Sequence, residues 1–309
     1  MFFSRNAVGM EITQHGVRFA AIGGRKSRPK LLAQETAEFP AGTMRLVHRE
    51  PNVMEPALFV RQVKEAYLKL LNRTGLVSVS LPDACGRVTI LDLETRFKSR
   101  EEGCDIIRWK LKKSLPFDVN DMHLDYQILQ EKESGEISVL VAIIARQVVS
   151  QYEDLLIEAG IQPNRVDFTS FNLYRLFSPR IAMSDSCLFV ACHDNVLSIL
   201  AFHQGVLEFY RAKDLPGSDP DMNRVFMETN SSLLFYREKN PGREFREAFC
   251  LAPSGDAELF RTVITEACGK EPFMLLPDTF VDSPDSPMGA GGVALAPLAA
   301  ALGAATRNL

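Results

Sequence analysis

Two stretches of this chain open in the same way, and that repetition limits the folds available to it. Val8 to Ile22 makes two apolar, β-like runs around the polar turn Thr13-Gln14-His15-Gly16, and a third run, Leu31 to Phe39, follows a glycine-rich turn. Near residues 187–211 the order recurs: Cys187 to Ala191, a polar turn at His193-Asp194-Asn195, Val196 to Phe202, then His203-Gln204-Gly205 and Val206 to Arg211. Each triple opening leads into helices and single strands, which suggests an internal duplication at the level of fold, although identity between the halves is too weak to prove it. At 309 residues, 46% of them hydrophobic, the chain can build about two domains around well-buried cores.

Punctuation between the runs marks the remaining elements. Pro56 opens a helix whose apolar face is Phe59, Val60, Val63, Tyr67, Leu70 and Leu71, with Gly75 beyond its end. Val77 to Leu81 reads as a buried strand ended by Pro82, and the unbroken apolar run Ile137 to Ile144 as a strand buried on both faces. Gln147 to Ala159 is a helix stopped by Gly160. In the second half Pro220 starts a helix through Val225, Phe226, Leu233 and Tyr236; Glu247 to Ala252 and Phe273 to Leu276 are strands flanking a helix, Glu258 to Ala267, closed by Gly269. Thr279 to Gly292 reads as an exposed loop and the alanine-rich Val293 to Ala305 as a buried terminal helix. Strands alternating with helices in both halves argue for an α/β chain with mixed sheets.

A net charge of −4 gives no global attraction to nucleic acid, and the cluster Arg25-Lys26 with Arg28 and Lys30 reads as a solvated loop. No stretch reaches the roughly 18 apolar residues that span a bilayer, and Met1 to Arg5 lacks the core of a signal peptide. Six scattered cysteines without a CxxC pair fit a reduced, cytoplasmic protein. Cys187, Cys192, His193 and His203 match no zinc spacing, so no metal is expected. GxSxG, HExxH and Walker motifs are missing, and Glu101, Glu102, Asp118, Asp121 and Asp125 read as solvated carboxylates.

Residues 98–130 are the most specific passage. Cys104, Ile107, Leu111 and Leu115 recur at spacings of three and four, one helix face, with Arg108, Lys110, Lys112 and Lys113 mostly off it. Leu115-Pro116-Phe117 stops that helix, and the alternating His123 to Leu129 reads as a half-buried strand. The order of Ile107-Arg108-Trp109, Leu115-Pro116-Phe117 and Leu124-Asp125-Tyr126-Gln127-Ile128-Leu129 resembles the PilM family of type IV pilus assembly proteins, divergently. The close at Ala300-Ala301-Leu302-Gly303 resembles that family's AxALGLAL ending. The resemblance implies an α/β, actin-like (ribonuclease H-like) two-domain fold, related to FtsA, with an inserted small α+β subdomain. Its implied boundaries are 1–85 plus 161–184 for the first actin-like domain, 86–160 for the insertion and 185–309 for the second.

The family's three nucleotide loops are altered here. Where relatives read roughly GLDIGSSSVK, this chain has Gly9 to Arg18: the magnesium-holding aspartate becomes Glu11, the turn glycine Thr13, and the serines Gln14, His15 and Gly16, while Arg18 keeps a positive charge. A β-branched Thr13 adds bulk where a phosphate would approach. Where relatives read VDIGASST, Ala191 takes the acid's place and Asp194 comes late. The adenosine loop SGGG is matched by Pro253-Ser254-Gly255-Asp256, which an ordinary helix start with Ser254 or Asp256 as N-cap explains equally well. By resemblance the degenerate ATP-loop positions are Glu11, Thr13, Gln14, Arg18, Ser254 and Gly255, with no catalytic residue and no resident cofactor expected; the competing expectation is an active actin-like ATPase that binds ATP with magnesium.

The implied function is therefore a cytoplasmic scaffold of a type IV pilus, or of a type II secretion-like platform. It would be held at the inner membrane by the N-terminal cytoplasmic peptide of a bitopic PilN-like partner, with a homo-oligomeric ring implied as well. The peptide groove would lie between insertion and first domain, with Ile107, Trp109, Leu111 and Phe117 as its expected wall. Trp109, beside the apolar stripe and among lysines, is the one expected to be exposed.

Overall fold

The computed structural model describes residues 6–71, 73–74, 76–217, 219–253, 255–283 and 295–309. Along the first part run β1 (Ala7–Ile12), β2 (Gly16–Arg25), β3 (Arg28–Glu38), α1 (Pro56–Lys69) and β4 (Leu76–Leu81). Next come β5 (Gly86–Leu93), α2 (Arg100–Lys112), β6 (Met122–Glu131), β7 (Ile137–Ala145), α3 (Arg146–Glu158), β8 (Gln162–Phe168) and α4 (Thr169–Ile181). The rest is β9 (Ser186–His193), β10 (Val196–His203), β11 (Val206–Asp214), α5 (Met222–Lys239), β12 (Glu247–Leu251), α6 (Ala257–Cys268), β13 (Phe273–Met274) and α7 (Ala299–Thr306).

Two five-stranded sheets have the same order, β3-β2-β1-β4-β8 and β11-β10-β9-β12-β13, and a three-stranded sheet, β5-β7-β6, is formed by the chain between β4 and β8 of the first. In each large sheet an antiparallel meander is extended by two parallel strands. The duplication expected from the two triple openings is thus a duplication of topology. Tight turns set it up locally: Asp194 (φ 49°) and Asn195 (φ 58°) form the two-residue link of β9 to β10, where positive φ matches strand twist and Asp and Asn tolerate it.

The layers follow from strand alternation. Val8, Met10 and Ile12 point from β1 into a core shared with α1, α3 and the three-stranded sheet. Ala7, Ala20 and Ile22 point the other way, joining Leu173, Phe177, Phe189 and the buried alanines of α7 in a core between the two large sheets. Leu188, Val190 and Cys192 face α5 and α6 on the far side. Helices therefore cover both outer faces, and α4 and α7 fill the middle.

Several expectations are corrected. Leu71 does not line α1; the helix ends at Lys69 and Leu71 is 90% exposed. The β7 run is not buried on both faces: Ile137, Val139, Val141 and Ile143 are buried while Ser138, Leu140 and Ala142 are half-buried, because its second face meets the other half only partly. α2 stops at Lys112; Leu115 lies beyond it, its side chain in the same core as Ile107 and Leu111 and its amide donating to the Leu111 carbonyl at 2.9 Å. The segment after Thr279 is no free loop at its start: Val281 is buried, and the Leu31 amide donates to the Asp282 carbonyl at 2.8 Å. Asp256 stands at the α6 N-cap without a side-chain capping bond. Gly75, Ser254 and 284–292 lie outside the described residues.

The middle layer is closely packed around α7. A Cβ on Gly9 would lie 1.9 Å from the Ala301 carbonyl oxygen, and one on Gly303 would lie 1.9 Å from that of Asn172. Alanine at 303 would favour the helix by about 1 kcal/mol, but the clash is with backbone and cannot relax by rotation. Gly303→Ala is expected to destabilise by about 1–3 kcal/mol or more, read as a lower urea midpoint; an unchanged midpoint would contradict the packing of α7 on α4.

Candidate functional site

Alternation carries two side chains to the seam between the halves. Glu11 follows Ala7 and Gly9 on the inward face of β1, and His193 follows Phe189 and Ala191 on the inward face of β9. They meet: His193 Nε2 and Glu11 Oε1 are 2.7 Å apart, and both residues are buried. Arg18, the cross-strand neighbour of Glu11 on β2, donates to Glu11 Oε2 at 3.2 Å and to Asp194 Oδ1 at 3.0 Å. Burial alone would push the Glu11 carboxyl up, but His193 and then Arg18 outweigh it and hold it below the usual carboxylate range. Arg18 is correspondingly raised: burial opposes its charge and the carboxylates of Glu11 and Asp194 overcome that.

The first turn is satisfied from within. Thr13 Oγ1 accepts from the amides of His15 and Gly16, both at 3.1 Å, and the Thr13 amide donates to the Gly16 carbonyl at 2.9 Å. Thr13 thus builds the turn with its hydroxyl and needs no positive φ. Beside it lies a cavity of about 410 Å³, lined by Glu11, Thr13, Gln14, His15, Leu46, Asp83, Thr169, His193, Asp194, Asp214 and Gly217 among others. Of the sequence-derived loop positions, Glu11, Thr13 and Gln14 line it, Arg18 backs it through Glu11, and Gly255 is not in its wall.

Sequence reasoning missed a second tie across the seam. Asp83, just after β4, accepts from the Ser170 amide at 3.1 Å, the Ser170 hydroxyl at 2.5 Å and the Tyr210 hydroxyl at 2.8 Å. Burial pushes its carboxyl up despite those donors. Phe171 stacks on Tyr210 with centroids 5.0 Å apart. Nothing local in the sequence marks Tyr210 as the partner of a residue so far upstream.

A further cavity, about 580 Å³, lies where the loop after β3 meets β6, β7 and α3; Phe117, Met122 and Ala145 give it apolar surface, and Arg49, Glu50, Asp118, Asp121, Arg146 and Gln147 a polar rim. The Arg49 guanidinium sits 5.4 Å above the Phe117 ring. Its loop is held in place: the amides of Asn52 and Val53 donate to Gln151 Oε1 at 2.7 and 2.9 Å, and Asn52 Nδ2 donates to the carbonyls of Val47 and Glu50. This loop has no periodicity, so nothing in its residue order marks it as joining the two cavities through Leu46 and Arg49.

Of the four expected wall residues, Phe117 lines this groove. Ile107 and Leu111 are corrected: both are core residues on the buried face of α2 and cannot touch a partner. Trp109 is 63% exposed, with the Lys113 ammonium 3.5 Å from its ring centroid, but is not part of the groove wall. Among the described residues no group of His, Cys, Asp and Glu could hold a metal, and no helix is long and apolar enough to cross a membrane.

No family model and no curated protein matches the chain. Solved structures do share its fold. A chain of a PilM–PilN type IV pilus biogenesis complex aligns with a TM-score of 0.82 at 20% identity, over 98% of each chain. The cytoplasmic domain of EpsL, an inner-membrane component of the Vibrio cholerae type II secretion system, aligns at 0.54 and 12%, over 96% of this chain and 95% of that one. A Bacteroides thetaiotaomicron protein with an actin-like ATPase fold and unknown function aligns at 0.53 and 12%, over 87% and 90%. The fold is therefore actin-like. Within that class the chain is PilM-like in architecture.

The seam yields a pH-dependent test. Because the folded state holds Glu11 below the usual range, its contribution is present above about pH 4.3 and is lost as pH falls through the lower folded value. His193→Ala leaves the buried carboxylate with Arg18 alone and is expected to cost about 3 kcal/mol at pH 7. The gap from the parent in urea unfolding should narrow on acidification as Glu11 takes up a proton; a gap constant with pH would contradict the charge pairing.

Proposed function

We propose that the chain is a scaffold of a type IV pilus or type II secretion-like assembly platform, peripheral at the inner membrane. In this reading it captures the cytoplasmic N-terminal peptide of a PilN-like bitopic partner in the groove at Phe117. The observation that carries it is the preformed cavity of about 580 Å³, with apolar surface and a polar rim, between the first sheet's loop and the three-stranded sheet. Capture of a short peptide asks for an apolar pocket with a few polar anchors, held on a rigid frame. Asn52 and Gln151 supply that rigidity for the loop carrying Arg49 and Glu50. With the division proposed here (1–85 with 161–184, 86–160, 185–309), the groove falls at the junction of insertion and first domain. A homo-oligomeric ring belongs to the same proposal.

The cleft, in this reading, is fastened by side chains and does not use nucleotide. Its residues fit magnesium–ATP poorly: Glu11 is engaged by His193 and Arg18, two of the turn amides that would cradle a phosphate serve Thr13, and Glu11, Asp83, Asp194 and Asp214 make the wall acidic. A triphosphate needs donors and positive charge at such a turn.

Calorimetric titration with a PilN N-terminal peptide tests the groove. Phe117→Ala should weaken binding about 30-fold, as loss of a central aromatic anchor does, while His193→Ala should leave the affinity unchanged. Equal binding by the parent and Phe117→Ala would remove the groove from the proposal. Titration with magnesium–ATP is expected to give no saturable heat, and tight magnesium-dependent binding would replace the fastened cleft with a working nucleotide site.

A further inference from the structure

Trp109 is the only tryptophan of the chain and is 63% exposed, although indole is a ring that folding normally covers. Its surroundings are basic. Lys112 and Lys113, three and four residues on, share its helix face and are exposed; Lys113 lies over the ring, and Arg108 and Lys110 flank it half-buried. The opposite face of α2 is anchored by Ile107 and Leu111, so this end of the helix is presented rigidly. A chain of net charge −4 therefore carries a local cationic, aromatic point.

From this juxtaposition we infer that the C-terminal end of α2 seats on the headgroup layer of an anionic lipid bilayer, with Trp109 at the interface and the lysines on lipid phosphates and carboxylates. An indole has an apolar body and one polar N–H, which suits the boundary between headgroups and acyl chains. Lysines reach outward along flexible stems toward anionic headgroups. The acidic first turn does not cancel this. Glu101 and Glu102 are about ten residues from Lys112, roughly 15 Å along a helix, beyond a screening length of about 8 Å at physiological salt. Asp105, nearer, is 3.6 Å from Arg108 and is offset by it. The lysines supply charge complementary to anionic headgroups, and the exposed indole beside them is what suits the headgroup boundary of a bilayer. This contact requires no captured peptide, so it fails or holds independently of the groove.

The test is flotation of the full chain with phosphatidylserine–phosphatidylcholine vesicles and with phosphatidylcholine vesicles, reading Trp109 emission in the same samples. Expected is co-flotation with the anionic vesicles only, a shift of emission to shorter wavelength, and loss of both at about 0.5 M salt. Each surface lysine changes partitioning roughly fivefold, so Lys112→Glu with Lys113→Glu should lower it at least 25-fold. Trp109→Phe, a substitution at the surface, should reduce co-flotation while leaving the circular dichroism spectrum unchanged. Co-flotation unaffected by the lysine reversals, or no co-flotation, overturns the inference. So does an emission shift produced by an acidic peptide and not by vesicles, which would make this end of α2 a protein-binding surface.

Discussion

A carboxylate as buried as that of Glu11 must be compensated where it sits, because an isolated charge in a protein interior costs several kcal/mol. The compensation comes from both halves of the molecule: Arg18 on the neighbouring strand, and His193 at the end of the equivalent strand of the second sheet. Arg18 then reaches Asp194, so the four side chains form one chain of polar contacts across the seam. Removing His193 or Arg18 leaves the buried Glu11 carboxylate with one partner fewer against that desolvation cost. The contact between the halves at this point is thus coupled to the ionisation of Glu11.

The seam is held again a short way off. Asp83 ties Ser170 to Tyr210, Phe171 stacks on Tyr210, and Tyr174 stacks on Phe202 at 5.0 Å between centroids. The side of the three-stranded sheet carrying Ile90, Leu129 and Leu140 packs against the same middle core that α4 and α7 fill. Hinge motion about a nucleotide would have to break the contacts of the buried Glu11, the hydrogen bonds of Asp83 to Ser170 and Tyr210, and aromatic stacking together. In the proposed reading, a frame fixed in this way serves to hold partners in defined geometry.

What could be read from the sequence was what local physics controls. The two-residue turn at Asp194-Asn195, the proline at the start of α1, Gly160 after α3 and the stripe of Ile107 and Leu111 each act within a few residues, and the elements they mark are present. The errors share one cause, tertiary context. An apolar run in β7 does not say how completely its second face is covered, and an apolar helix stripe does not say whether Ile107 packs in a core or waits for a partner. Family likeness located the loop at Glu11, but its partner His193 lies 182 positions away, and the cavity at Phe117 depends on Arg49 and Asn52 in a loop without pattern. Pairings at that separation are set by the closed fold.

In the proposed reading the three-stranded sheet and its helix carry both partner contacts. Phe117 in the groove follows Lys113 at the end of α2 by four residues, and Asp118 and Asp121 continue directly into β6. Groove and basic helix end are therefore neighbours on one small sheet, each braced by buried side chains. A peptide from a membrane-anchored partner, once seated at Phe117, would hold Trp109 near the lipid surface at high effective concentration, so that a weak interfacial contact is enough to orient the molecule. The lipid contact would in turn lower the entropic cost of keeping the peptide seated. In that reading orientation, more than affinity, is what the pair of contacts supplies, and the seam behind them holds it.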